Sequence, residues 1–158
     1  ITRLDLVPDI DRTEANRPPP PVIAVTIKLK TIVHPKTHKS EIVSASALCH
    51  RRVRLDGASD ETTKFMTQLS LIRPLGAAAE AMGGADGESG VMAQFPRDLG
   101  RHIQEGMPQL QRMPNERALL SRLLAQIGTW DPDVIVGHNA WGYDAEVLLT
   151  RCSELKVK

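Results

Sequence analysis

Apolar positions recur at Ile23, Val25, Ile27, Leu29 and Val33, and Thr26, Lys28 and Lys30 fall between them. Successive side chains leave a strand on opposite faces, so this period of two predicts a half-buried central strand. His34-Pro35-Lys36-Thr37-His38-Lys39 then reads as a turn, and the small and β-branched run over 42–49 as a returning strand, which makes an antiparallel hairpin. Residues 65–72 predict a third strand before Pro74, residues 95–106 a helix and residues 110–113 a short strand. Asn115 precedes Leu119, Leu120, Leu123, Leu124 and Ile127, the spacing of a capped amphipathic helix that ends near Gly128.

The remaining stretch organises the chain. Asp131-Pro132-Asp133 feeds Val134, Ile135 and Val136, a short β-branched run read as a buried core strand ending near Gly137. Ala145, Val147, Leu148, Cys152 and Leu155 recur at roughly helical spacing, with Asp144 placed as N-cap so that its carboxylate points back over the strand end. Three strands, a short strand, a helix, a strand and a helix describe an α/β sheet with a leading antiparallel meander and flanking helices.

Two segments stand apart. Residues 1–21 end in four prolines, Pro18 to Pro21, and read as a stiff lead-in arm; residues 22–158 form the domain. Within it, residues 76–90 are a Gly/Ala-rich insertion without the Gly-Lys-Ser/Thr ending of a phosphate loop, and a flexible surface loop is expected.

Composition narrows the function classes. Aromatic residues are only 3% of the chain, which argues against a groove built to stack single-stranded bases. Cys49 and Cys152 are far apart and form no zinc-binding pair, so two free thiols in a reducing compartment are expected. His34 and His38 are separated by a turn containing Pro35, and no third ligand is near them, so they read as turn residues. No apolar run approaches a membrane span, which predicts a soluble, intracellular chain without membrane partners. The start at Ile1 and the end soon after a helix predict a piece of a longer chain, truncated at its C-terminus. The net charge of +1 decides nothing, but between Lys28 and Arg54 seven Lys or Arg face one acid, Glu41. Such a half suits nucleic-acid phosphates, or equally a solvated sheet edge guarded by lysines.

Asn139-Ala-Trp141-Gly-Tyr143-Asp144 has the N-x3-(F/Y)-D form of the second exonuclease motif of the family B DNA polymerases. With Asp131 to His138 before it and Glu146 to Leu149 after it, the run most resembles the alpha-type branch of that family. Pro20-Pro21, Lys30-Thr31, Glu41-Ile42, Ala45 to Arg54 and Asn115 to Leu120 extend the likeness over most of residues 20–158.

The resemblance implies a ribonuclease-H-like 3′–5′ exonuclease fold with a mixed sheet. Proofreading members carry a first motif D-x-E whose carboxylates hold two magnesium ions. Here those positions read Lys28-Leu29-Lys30. An ammonium group has no lone pair for a metal and repels it, and Asp144 alone is too few carboxylates for a two-metal cage. The third motif, Y-x3-D, would lie beyond Lys158, since Val147 stands four residues after the lone tyrosine, Tyr143.

The expectation is therefore a noncatalytic exonuclease-like domain, structural and in contact with DNA, with Asp144 as a vestigial ligand. The fragment itself needs no cofactor, and Mg2+ belongs to the polymerase site of the parent. What the resemblance further implies is a nuclear replication protein that extends primers on template DNA or an RNA-DNA primer. Its partners would be the other polymerase domains, primase and accessory subunits. An active proofreading exonuclease and a protein-interaction module are the competing readings.

Candidate nucleic-acid contacts are Lys28, Lys30, Asn139, Trp141, Arg51 and Arg52. Lys28 and Lys30 are also expected to neutralise Asp144 where a metal would otherwise sit. Asn139 is expected to hydrogen-bond the loop backbone, His138 to be a structural polar residue, and Trp141 to pack over the junction.

Overall fold

In a computed structural model that describes residues 20–34, 37–54, 65–75, 95, 98–106 and 109–157, the alternation of the first strand becomes a division between two faces. On β1 (Val22–Val33), Val25, Ile27 and Leu29 are buried and Thr26, Lys28 and Lys30 are exposed. β2 (Ser40–Val53) pairs antiparallel with β1, and β3 (Met66–Ile72) antiparallel with β2, which is the predicted meander. His34 closes the first turn: its N–H donates to the Lys39 carbonyl at 2.8 Å and its own carbonyl accepts from His38 at 2.8 Å. Residues 1–19 of the arm and the 76–90 insertion lie outside the described residues.

Two short strands complete a mixed sheet in the order β4-β3-β2-β1-β5. β4 (Leu110–Arg112) lies parallel to β3, and β5 (Val134–Val136) parallel to β1. Between them run α1 (Leu99–Gly106) and α2 (Glu116–Trp130); α3 (Ala145–Glu154) follows a π-helical turn, Ala140–Asp144. Among the described residues no helix is long and apolar enough to cross a membrane.

The core sits on one side of the sheet. Val25, Ile27 and Leu29 pair across to Cys49, Ala47 and Ala45, and Ala47 and Ala45 to Leu69 and Leu71, so all share a face. Against that face lie Leu119, Leu120, Leu123 and Trp130 of α2 and Cys152 of α3. The two alanines at the middle of β2 leave room for the helices to approach. Each leucine fully buried in this way contributes about 1.5–3 kcal/mol.

The observed structure departs from the expected pattern in three places. Val33 is 57% exposed, because a register shift between Lys30 and Thr31 ends the simple alternation of β1. α2 runs past Gly128 to the buried Trp130; it stops at Asp131, whose left-handed φ of 47° turns its N–H onto the Ile127 carbonyl. Val134, Ile135 and Val136 are about half exposed instead of buried, because β5 pairs only with β1 among the described residues and stands at the sheet edge.

A buried ionic cluster ties the layers together. Glu116, in the first turn of α2, accepts from the Ile42 N–H at 2.8 Å and from Arg151 Nε at 2.9 Å through Oε1, and from Arg151 Nη2 through Oε2. Arg73, just past β3, donates to the Ile42 carbonyl at 2.7 Å and to Glu41 at 2.9 Å, with one guanidinium nitrogen 3.9 Å from Glu116. Glu116, Arg73 and Arg151 are all buried. Hydrogen bonding to Glu116 raises the Arg151 pKa above the usual guanidinium value, against the opposing effect of burial.

Removing one member strands its partners in a buried site. Glu116→Ala should therefore cost about 3–5 kcal/mol in urea unfolding. Arg151→Met should cost a similar amount, and the double variant clearly less than their sum; additive losses would show that the two groups are not coupled.

Candidate functional site

The junction between β5 and α3 is built by short-range geometry. Asp133 clamps the base of β5, accepting from the Ile23 N–H through Oδ2 at 2.8 Å while its own N–H donates to the Ile23 carbonyl at 2.9 Å. Beyond Gly137, Asn139 takes a left-handed φ of 55°, which asparagine tolerates better than most residues. Its carbonyl accepts from the Tyr143 N–H at 3.2 Å, closing the π-helical turn. Gly142 lies close under the Asn139 side chain, where a Cβ would fall 2.3 Å from the side-chain oxygen and turn that exposed amide aside. Tyr143 then ties the turn to the end of β1 through a 2.8 Å hydrogen bond between its hydroxyl and that of Thr31.

Asp144 ends this turn in helical conformation, with φ −63° and ψ −42°, and its side chain makes no capping hydrogen bond. The N-cap expectation is thus corrected: the chain is already coiled at Asp144, so the carboxylate is carried to the side of the helix. It is 9% exposed, and its buried Oδ2 has no hydrogen-bond partner among the described residues. It lines a cleft of about 220 Å³ with Ile27, Leu29, Ile135, Leu148 and Leu149.

Lys28 and Lys30 alternate with Ile27 and Leu29, so they leave β1 on the opposite face. Neither forms an ion pair with Asp144 among the described residues, and the expected neutralisation is not found. What surrounds them instead is a sheet face of Thr26, Ser44, Ser46, Gln68 and Ser70, in register with the lysines across β2 and β3. Arg112 projects from the same side of β4, opposite Ile72. The positions paired beside Lys28 and Lys30, namely Ser44, Ser46, Leu48, Gln68 and Ser70, carry no acid; the nearest on β2 is Glu41, paired with Ile32 and bonded to Arg73.

The other candidates divide. Arg51 and Arg52 are exposed at the end of β2, and the Arg52 guanidinium lies 4.8 Å from the Phe65 ring centroid. His138 is exposed and holds no hydrogen bond among the described residues, so it is not the structural polar residue expected. In Asn139 the backbone carbonyl bonds the loop, not the side chain. The Trp141 side chain lies outside the described residues. Both cysteines are buried and free, and burial pushes both thiols up.

A second cleft, about 320 Å³, opens between the first turn and α3, lined by Lys39, Tyr143, Glu146, Thr150, Arg151 and Glu154. Lys39 Nζ donates to Glu154 there, and this bond leads the effects that hold the Glu154 carboxyl below its ordinary range. Nothing in the linear pattern pairs residues 115 positions apart.

The exonuclease-domain model of the family B DNA polymerases matches residues 1–158. The chain belongs to that family. It is 34% identical over 139 residues to the DNA polymerase alpha catalytic subunit of Xenopus laevis, covering 88% of this chain and 8% of that protein. It is 34% identical over 142 residues to the counterpart in Oryza sativa subsp. japonica, covering 87% and 9%. To that of Trypanosoma brucei brucei it is 32% identical over 151 residues, covering 94% and 10%. The chain thus spans about a tenth of the length of these relatives. The five-stranded mixed sheet with flanking helices is consistent with the ribonuclease-H-like fold of family B exonuclease domains.

The residues of this family B domain do not fit a two-magnesium cage. Lys28 and Lys30, which the resemblance sets at the first-motif positions, carry ammonium groups that cannot bind a cation, and the Asp144 carboxylate faces an apolar cleft on the other side of β1. No three His, Cys, Asp or Glu side chains gather around a common point among the described residues.

Two measurements check this geometry. Gly142→Ala should turn the exposed Asn139 side chain aside and change stability by no more than about 0.5 kcal/mol in chemical unfolding; a clearly larger loss would show that this side chain cannot move. In a carboxyl-carbon NMR titration Glu154 should titrate below the usual glutamate range, and Lys39→Met should move it upward. Its folded pKa is depressed, so the contribution of the contact is complete above the unfolded value and fades as pH falls through the lower folded one.

Proposed function

We propose that this exonuclease domain is noncatalytic and acts as a structural module of a replicative, alpha-type DNA polymerase, laying its open sheet face against the phosphates of template or primer. The observation that carries this reading is the charge of that face. The family resemblance sets Lys28 and Lys30 at positions where proofreading members carry acids, the paired positions beside them on β2 and β3 are not acidic, and Asp144 lies on the other side of β1. A phosphodiester strand supplies the anions such a face lacks, and serine and threonine hydroxyls add hydrogen bonds to phosphate oxygens. Base identity is not read, since positioning contacts to the backbone carry no sequence information.

The resemblance supplies the rest of the proposal. A longer polypeptide of this kind would extend primers in the nucleus with magnesium at its own polymerase site, beside primase and accessory subunits. This domain would pack against the other polymerase domains and add basic surface to the nucleic-acid path.

With a labelled single-stranded oligonucleotide, binding should weaken linearly with the logarithm of salt concentration. Lys28→Gln with Lys30→Gln should reduce that slope by roughly 1.4, at about 0.7 per phosphate contact. A slope unchanged by the double substitution would remove the lysine face from the contact. The same protein incubated with magnesium or manganese should release no nucleotide from a 3′-labelled strand; metal-dependent release would make it a nuclease with a different cage.

A further inference from the structure

We propose that the cleft beside Arg112 and Phe95, at the β4 end of the open sheet face, takes one unpaired base of a DNA single strand whose phosphates lie on Lys28 and Lys30. The inference rests on the proposed contact of this face with nucleic acid, and it adds the form of nucleic acid bound and the place of a base.

Three observations lead to it. The first is position. Lys30, Ser44, Ile72 and Arg112 are register partners across β1, β2, β3 and β4, so Arg112 ends the row that Lys30 begins. Three strand spacings separate the two, about 14 Å, which a few nucleotides span. Ser44 in this row, and Ser46 and Ser70 in the row of Lys28, offer hydroxyls to phosphate oxygens along the way.

The second is Arg112 itself. It is exposed, and its guanidinium carbon lies 5.0 Å from the centroid of the Phe95 ring. Gly100 of α1 borders it on another side, where a Cβ would stand 3.9 Å from Nη1. A guanidinium laid on a ring keeps its plane before a ligand arrives, and its N–H groups stay available to phosphate. The chain has two phenylalanines, Phe65 and Phe95, and neither belongs to the buried core. Phe95 serves the surface, so a low aromatic content does not preclude a single stacking position.

The third is the cleft, about 540 Å³ in volume and lined by Pro74, Phe95, Arg112, Met113 and Pro114. Ring and thioether walls offer flat, adaptable apolar surface to a base. Arg112 is the one charged group among these lining residues, and a purely apolar ligand would leave it without a counter-charge. An unpaired nucleotide joined to the strand on the lysines supplies both the planar group and the anion. A duplex does not fit, because its bases are already stacked and paired and must be extruded at a cost to present a face. Stacking accepts any base, so the site is selective for unpaired over paired DNA and not for sequence.

The test uses the 158-residue chain, a labelled oligothymidylate, the duplex it forms with oligoadenylate, and a single strand carrying one fluorescent base analogue. Arg112→Lys keeps the charge and removes the plane; Phe95→Leu removes the ring beneath it. Each should weaken single-strand binding about fivefold or more, leave duplex binding within about twofold, and diminish the change in analogue emission on binding. Arg112→Lys, at an exposed position, decides the matter if Phe95→Leu does not fold. Parental single-strand affinity in both variants, with Lys28→Gln and Lys30→Gln still lowering the salt slope, would overturn the cleft and leave the lysine face standing. No salt-dependent binding by the parent chain would overturn both. Equal losses for single strand and duplex would show that no base enters. A peptide alternating glutamate and phenylalanine whose binding Arg112→Lys abolishes, while oligonucleotide binding is untouched, would assign the cleft to a polypeptide instead.

Discussion

The buried carboxylate of Glu116 is the point on which the layers of this domain depend. It begins α2, fastens the start of β2 through the Ile42 N–H, and holds α3 through Arg151. Arg73 brings the end of β3 to the same place through the Ile42 carbonyl and Glu41. Each charge is costly to bury alone and tolerable only with its partners, so the cluster penalises any arrangement that separates them. An acid in the first turn of a helix also lies against the positive end of the helix dipole. Apolar contact would hold α2 and α3 near the sheet in many orientations; bonds with fixed donors and acceptors select one.

Both helices being fixed to one side determines what the other side can be. The buried face is filled by Leu119, Leu120 and Leu123 against the small residues of β2, while the facing positions on the other side stay open. An open sheet face need not be apolar, and here it carries hydroxyls and lysines. Both lysines are exposed, an arrangement that asks nothing of the core. The sheet order then places β5 at one edge, where its valines are only half covered.

The legible parts of the fold were those carried by local pattern. Alternation around Val25 to Leu29 marked β1, and the Asn115 cap with the leucine stripe marked α2, because strand period and helix period are properties of neighbouring residues. The misreadings concern relations between distant segments. Whether Val134 to Val136 lies in the middle or at the edge of a sheet depends on a partner strand, which β-branched composition does not reveal. Asp144 looked like an N-cap because an acid preceded a helical stripe; the π-helical turn over Ala140–Asp144 coils the chain before that stripe begins. The Glu116 cluster joins residues 35 to 74 positions apart, and no spacing rule connects them.

Lys28 and Lys30 also show why motif resemblance and geometry must be weighed separately. The resemblance sets them beside Asp144 as members of one site, and an ion pair was expected from that. In the fold, the residue between the two lysines, Leu29, shares the cleft with Asp144, and strand alternation then sends the lysines the other way. The consequence is a separation of roles. The charge on the open face is independent of the forces that hold the domain together, because neither lysine touches the core or the Glu116 cluster. Asp144 is bound to the opposite problem, a buried acid in an apolar wall whose neighbours provide no donor. One strand thus separates a surface free to change its electrostatic character from a groove whose chemistry is constrained.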